Sequence, residues 1–278
     1  MNSTATASRL EARFRDLRDR GQKGLVIYLT AGDPSLDATG DLLQAIEQGG
    51  ADVIELGIPF SDPLADGPVI QRASERALRG GATLRNVMER LPAWCARLRA
   101  PIVLFTYFNP VLQYGLEAFA RDARAAGADA ALIVDLTPEE AGDFISVMRG
   151  QNLDTVFLAS PTSSDERLRL VAAASTGFLY LVSRTGVTGE RQQLSAAVRP
   201  LVERARRFTS LPLAVGFGVS TPEQVREVQA LTDAAVVGSA VVHAIEDRYP
   251  KGGAAALRDY VGWLKGRPTG DTDFADTR

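Results

Sequence analysis

Cysteine and histidine are almost missing from this chain: among 278 residues, Cys95 is the only cysteine and His243 the only histidine. A disulfide framework and a cysteine metal cluster are excluded, and a histidine metal site or a Ser-His triad has little support. Cys95, beside Trp94 in a helical pattern, reads as core filling, because a free thiol packs as a small hydrophobe. There is no basic block, and 31 basic against 34 acidic residues give a net charge of -3, which argues against nucleic acid or an anionic membrane as partner. No apolar run reaches the roughly 18 residues of a membrane span, and the N-terminal segment has no apolar signal core. A cytoplasmic protein is expected.

What is present is a chain 45% hydrophobic and 23% charged, able to bury a large core in one domain. Strand candidates begin near Val26, Val53, Ile102, Ala131, Thr155, Gly177, Leu211 and Ala234, separated by segments with helical periodicity and glycine or capping punctuation. Apolar strands without strict alternation, each followed by a helix, predict an α/β fold with a parallel sheet. Eight such units favour closure into a (β/α)8 TIM barrel, with an open doubly wound sheet as the alternative. Ser8 can cap an added N-terminal helix over 9–20, whose Leu10, Phe14 and Leu17 would cover one end of the barrel. An extra helical segment over 84–98 follows the second strand. Residues 1–266 are assigned to the barrel, and 267–278 to a disordered tail.

Hydroxyls three residues before Glu or Gln at Thr137, Ser163 and Thr221 predict helix starts just after strands. Sites of interest should then gather at the carboxyl ends of the strands, where the βα loops of a barrel converge. Two intervals are longer than the rest. One contains VIELGIPFSDPLADGPVIQ, residues 53–71; the other contains the small, polar, glycine-bearing run 183–189, which reads as a lid able to close over a ligand.

Glu55 stands inside an apolar strand, where an isolated charge needs a purpose or a partner. If side chains alternate, Ile54 and Leu56 face the helices, while Val53, Glu55 and Gly57 face the barrel interior. Burial there should raise the carboxyl pKa and suit it to proton transfer near neutral pH. Asp62 and Asp66 follow in a proline-rich loop. Asp62 could begin a turn and Asp66 could cap a helix, but three carboxylates within twelve residues also resemble an acid/base constellation. Late in the chain, Gly216-Phe217-Gly218 follows the seventh strand and Gly238-Ser239 the eighth, a pattern suited to phosphate on backbone amides and a helix N-terminus. No lysine stands at an obvious strand end and no metal-ligand cluster is evident, which leaves cofactor-free acid/base chemistry on a phosphorylated substrate.

The run Glu55 to Pro68 resembles the signature of the tryptophan synthase alpha chain family. The resemblance extends through Tyr28 to Pro34, Thr106 to Pro110, Tyr180 to Gly189, Gly216 to Gly218 and Gly238-Ser239, and spans residues 25–246. Ile27 stands where the family usually has proline, and Leu136-Thr137 replaces a common Val-Pro pair.

This resemblance implies retro-aldol cleavage of indole-3-glycerol phosphate to indole and glyceraldehyde 3-phosphate. It implies Glu55 as the proton shuttle, Asp66 as partner of the indole N–H, and Tyr180 as an orienting group. Tyr28, Phe105, Leu132 and Leu158 would surround the indole, Gly189, Gly218, Gly238 and Ser239 would bind the phosphate, and Phe217 would also meet the substrate. Thr188 and Arg184 belong to the lid. No cofactor is expected on this chain; pyridoxal phosphate is expected on a beta chain that meets Asp62, Asn109 and Pro110 in an αββα tetramer. A stand-alone lyase and a non-catalytic subunit that activates a beta chain are the alternatives.

Overall fold

The computed structural model describes residues 7–182, 193–216, 218–268 and 274; of 193–197 only the backbone is described. In chain order the elements are α1 (Arg9–Asp19), β1 (Gly24–Thr30), α2 (Leu36–Gly49), β2 (Val53–Gly57), α3 (Pro68–Arg79), α4 (Leu84–Cys95), β3 (Ile102–Thr106), α5 (Phe108–Tyr114), α6 (Leu116–Ala126) and β4 (Ala130–Ile133). There follow α7 (Gly142–Gly150), β5 (Asp154–Val156), β6 (Leu158–Ala159), α8 (Asp165–Ala174), β7 (Leu179–Val182), α9 (Gln193–Ala205), β8 (Leu213–Gly216), α10 (Pro222–Gln229), β9 (Ala234–Val237) and α11 (Ser239–Leu264).

All strand pairs are parallel, in the order β5-β4-β3-β2-β1-β9-β8-β7-β6. The two ends of that order are consecutive in sequence, so the chain itself closes the ring through Phe157. The expected fifth strand is therefore present as two short pieces. At the break the Phe157 amide turns to the Ser175 hydroxyl, 3.3 Å away, while its ring packs in the outer core. The barrel is thus the expected (β/α)8 architecture with one strand interrupted.

Alternation along the strands sorts side chains into two cores. Ile27, Ile54, Leu56, Leu104 and Val237 face the surrounding helices. Val26, Val53, Val103, Leu132, Val156 and Val236 fill the interior, where Leu10, Phe14 and Leu17 of α1 meet them from below. Ile27, the departure beside Tyr28, thus faces outward, away from the barrel interior. The amphipathic stripe of α1 makes it a plug, and Ser8 caps it by accepting the Glu11 amide at 3.1 Å.

Two helix starts differ from expectation. Thr137 opens a turn, its hydroxyl 2.9 Å from Glu140, and the helix begins only at Gly142. Ser164, not Ser163, caps α8, because its hydroxyl is the one that accepts the Arg167 amide. Thr221 makes the full capping box with Gln224. The short helix α5 was not expected. In the segment assigned to a disordered tail, residues 269–273 and 275–278 lie outside the described residues. Phe274 is described there, 3% exposed, with its ring 5.8 Å from Tyr260 and 5.7 Å from Trp263. Among the described residues no helix is long and apolar enough to cross a membrane.

Candidate active site

Glu55 occupies the middle of β2 and is 1% exposed. Its Cα ladder partners are Tyr28 on β1 and Val103 on β3, which place it on the inward face. Oε1 is buried without a hydrogen bond to any described residue, and burial raises the carboxyl pKa to about 8. The side chain is therefore neutral and protonated at neutral pH, and able to give a proton before it accepts one.

Asp66 approaches from the loop above. It does not cap α3: Gly67 takes the N-cap position without a side-chain bond, and Pro68 is the first helical residue. Its Oδ2 instead accepts the Tyr107 hydroxyl at 3.0 Å, and that same phenol oxygen accepts the Ala65 amide at 3.0 Å. Burial raises the Asp66 pKa to about 6, against the lowering effect of the Tyr107 bond. Gln71 braces the loop by donating to the Asp66 carbonyl at 2.9 Å. The two carboxyls thereby differ in charge near neutral pH: Glu55 is protonated and Asp66 ionised.

The walls are aromatic and aliphatic. Tyr28 is 4% exposed, meets Phe105 edge-on at 5.2 Å, and bonds its hydroxyl to Thr30 at 3.2 Å. Leu132 is fully buried, and Leu158 and Tyr180 pack partly buried on the same interior cluster. Burial pushes the Tyr180 phenol pKa well up, and the charges of Glu55 and Asp66 push it further, so all three share one site. Glycine makes the room. A Cβ on Gly57 would collide with the Tyr28 ring, 2.7 Å from Cε2, and one on Gly216 would lie 2.9 Å from Tyr180 Cζ.

At the same end, Gly218 holds φ +77 and Gly238 immediately precedes α11, with Ser239 as its first residue. Gly218 and Ser239 are exposed, and a Cβ on Gly238 would lie 3.6 Å from that of Tyr28. Glycine backbone and a fresh helix N-terminus are thus set beside the aromatic wall, an arrangement suited to an anion. Thr188, Gly189, Arg184 and Phe217 lie outside the described residues. A cleft of about 530 Å³ opens at the opposite end, beneath α1 among Phe14, Leu17, Pro212 and Asp233. It holds none of these residues, which gather at the carboxyl ends of the strands instead.

Asp62 is exposed in the loop, where its carbonyl accepts the Leu64 amide at 2.8 Å and its carboxylate the Ser61 hydroxyl at 2.6 Å. Asn109 and Pro110 sit on α5, which begins right after Tyr107. Tyr107 and Thr30 carry no role in the sequence reading. Tyr107 had a visible signal, a tyrosine directly after a strand; the Thr30 hydroxyl contact depends on a strand-end geometry that no pattern announces.

The sequence profile described as tryptophan synthase alpha chain matches residues 14–261. The chain belongs to the tryptophan synthase alpha chain family. A tryptophan synthase alpha chain of Solibacter usitatus is 54% identical over 239 residues, covering 86% of this chain and 90% of that one. One from Roseiflexus castenholzii is 46% identical over 260 residues, covering 93% and 100%. Among solved structures, the alpha subunit of Legionella pneumophila superposes with a TM-score of 0.87 at 35% identity, over 93% of this chain and 97% of that one. A chain of M. tuberculosis tryptophan synthase in an aminoacrylate-bound form gives 0.84 at 37% identity, over 93% and 98%. Membership makes the chain a lyase of tryptophan biosynthesis, with the fold of the family's TIM barrels.

Proposed function

We propose that the chain cleaves indole-3-glycerol phosphate by a retro-aldol reaction, releasing indole and glyceraldehyde 3-phosphate. The observation that carries this reading is the pair of carboxyls held in opposite states, Glu55 near pKa 8 and Asp66 near 6. Indole is a poor carbanion leaving group until its ring carbon is protonated. Neutral Glu55 donates that proton, while ionised Asp66 accepts the indole N–H and stabilises the positive charge on the ring. The Glu55 carboxylate then takes the proton of the side-chain hydroxyl as the carbon–carbon bond breaks, its electron pair returning to the ring. Glu55 ends protonated, ready for the next cycle, and the protein's proton count is unchanged.

Tyr28, Phe105, Leu132 and Leu158 supply an apolar slot for the ring, and Tyr180 orients Glu55. The phosphate sits on Gly218, Gly238 and Ser239. These steps call on no cofactor from this chain. A beta chain carrying pyridoxal phosphate receives the indole in an αββα assembly, docking on Asp62, Asn109 and Pro110. The neighbouring Leu64 and Leu112, 91% and 53% exposed, give that face apolar contacts.

The test is single-turnover indole release with and without a beta chain, for the wild type and Glu55→Gln. Cleavage accelerated by the partner and lost in the variant supports the assignment; full activity in Glu55→Gln sinks it. Equal activity without partner favours a stand-alone lyase.

A further inference from the structure

Helix α3 begins two residues after Asp66, and α11 begins at Ser239, so the two ends of the proposed substrate are served by two helix starts. Those helices are joined in two ways. Ala73 and Val242 cluster with Tyr28, Val69, Ile70 and Phe105 in a small core that meets the barrel interior through Phe105. One turn further along, Arg76 of α3 donates Nη1 to Glu246 Oε1 of α11 at 3.0 Å. The other edge of the same guanidinium grips Asp33, in the turn after β1, through Nε–Oδ1 and Nη2–Oδ2 bonds, both 2.9 Å. Asp33 is 2% exposed and the Arg76 side chain 29%, so the carboxylate end of this fork is buried while the guanidinium stays partly in solvent. At 1.5 Å per residue, Arg76 lies about 12 Å from the start of α3 and Glu246 about 10 Å from the start of α11. The bridge therefore spans the helices at nearly equal depth below the site.

We propose that Arg76 is a positioning residue: by joining α3, α11 and the Asp33 turn, it fixes the spacing between Asp66 and the helix start at Ser239. Through that spacing it sets the affinity for a ligand that spans both. The inference rests on the proposed function and deepens it. A ligand reaching both points gains from their fixed separation, as a linked pair of groups does, whereas a fragment that binds at one point is indifferent to it.

The experiment uses the full chain as wild type, Arg76→Gln, Arg76→Lys and Glu246→Gln. It measures KM and kcat for indole-3-glycerol phosphate, and Kd for indole and for inorganic phosphate separately. Arg76→Gln is expected to raise KM about tenfold with kcat nearly kept, while both fragment Kd values stay within about twofold. Arg76→Lys should recover part of the loss, because it keeps the charge without the fork. Glu246→Gln should move KM in the same direction by less, since Asp33 still holds Arg76, and it carries the test should Arg76→Gln fail to fold. Fragments weakened as much as the whole substrate would reduce Arg76 to general support and overturn the proposal, as would an unchanged KM. Absence of turnover in the wild type would instead reject the functional reading, and this inference with it.

Discussion

The Tyr107 hydroxyl donates to Asp66 Oδ2 at 3.0 Å, which makes the residue after β3 a regulator of the loop carboxylate's charge. That bond favours the ionised form and opposes the rise due to burial. In Tyr107→Phe the Asp66 pKa should climb from about 6 by roughly one unit. The acid-side fall in kcat/KM for indole-3-glycerol phosphate should then begin at correspondingly higher pH, with the alkaline side unmoved. An unchanged acid limb would remove Asp66 from the ionisation that limits activity.

The two carboxyls together predict a bell. The proposed reaction needs Asp66 ionised and Glu55 protonated, so on that mechanism kcat/KM should rise through about pH 6 and fall through about pH 8. Glu55→Asp, shorter by one methylene, should lower the plateau by a factor of about 100 through misplacement. A profile flat between pH 7 and 9.5 would contradict a protonated Glu55 as the resting acid.

Glu55 also leaves a mark on stability. Its folded pKa of about 8 lies above the ordinary glutamate value of 4.5, so the folded state binds the proton more tightly than the unfolded chain. Its contribution is fully present below about pH 4.5 and is lost as pH rises towards 8, because the buried carboxyl must either stay protonated or ionise without a partner. Glu55→Gln should therefore gain thermal stability over the wild type as pH rises through that window, with little difference at the acid end. Melting curves of both proteins at pH 5 and pH 8.5 measure this; a difference independent of pH would mean the burial cost lies elsewhere.

Much of this arrangement was legible from residues. Glu55 inside an apolar strand, flanked by outward Ile54 and Leu56, announced both its facing and its unusual acidity, because strand alternation and desolvation are local effects. The plug helix was readable from Leu10, Phe14 and Leu17 for the same reason. What was hidden depends on contacts between distant segments. Tyr107 meets Asp66 across 41 positions and Arg76 meets Glu246 across 170, so neither pairing leaves a local pattern. Thr137 misled because its side chain satisfies Glu140 in a turn, a local bond that competes with helix initiation.

Gly57 is required by the ring beside it. Gly57→Ala would place a Cβ against the Tyr28 ring, displacing it from the wall it forms with Phe105 or straining β2, at a cost of roughly 1–3 kcal/mol. Adding Tyr28→Ala should relieve the strain, so the double variant should be more stable than the sum of the two single losses implies. Additive losses in urea denaturation would show that the ring and the glycine do not constrain each other.

Stability at the other end of the barrel should be separable from catalysis. Asp52, just before β2, is 3% exposed and accepts the Leu25 amide at 2.7 Å. It also pairs with Arg13 of the plug helix and with Lys265 just after α11. One carboxylate thus joins the barrel's first strand, its plug and its last helix. Asp52→Asn would leave two cations facing an amide and should destabilise the fold by on the order of 2–4 kcal/mol. Leu25 precedes Tyr28 by three residues, about 10 Å of extended strand, and the Asp52 charge is met locally by Arg13 and Lys265, while burial is what raises the Glu55 pKa. Below its melting transition the variant should therefore keep kcat/KM within about twofold of wild type while its urea midpoint falls. A loss of activity matching the loss of stability would show that the base of the barrel transmits strain to the site, and that the plug does more than close the core.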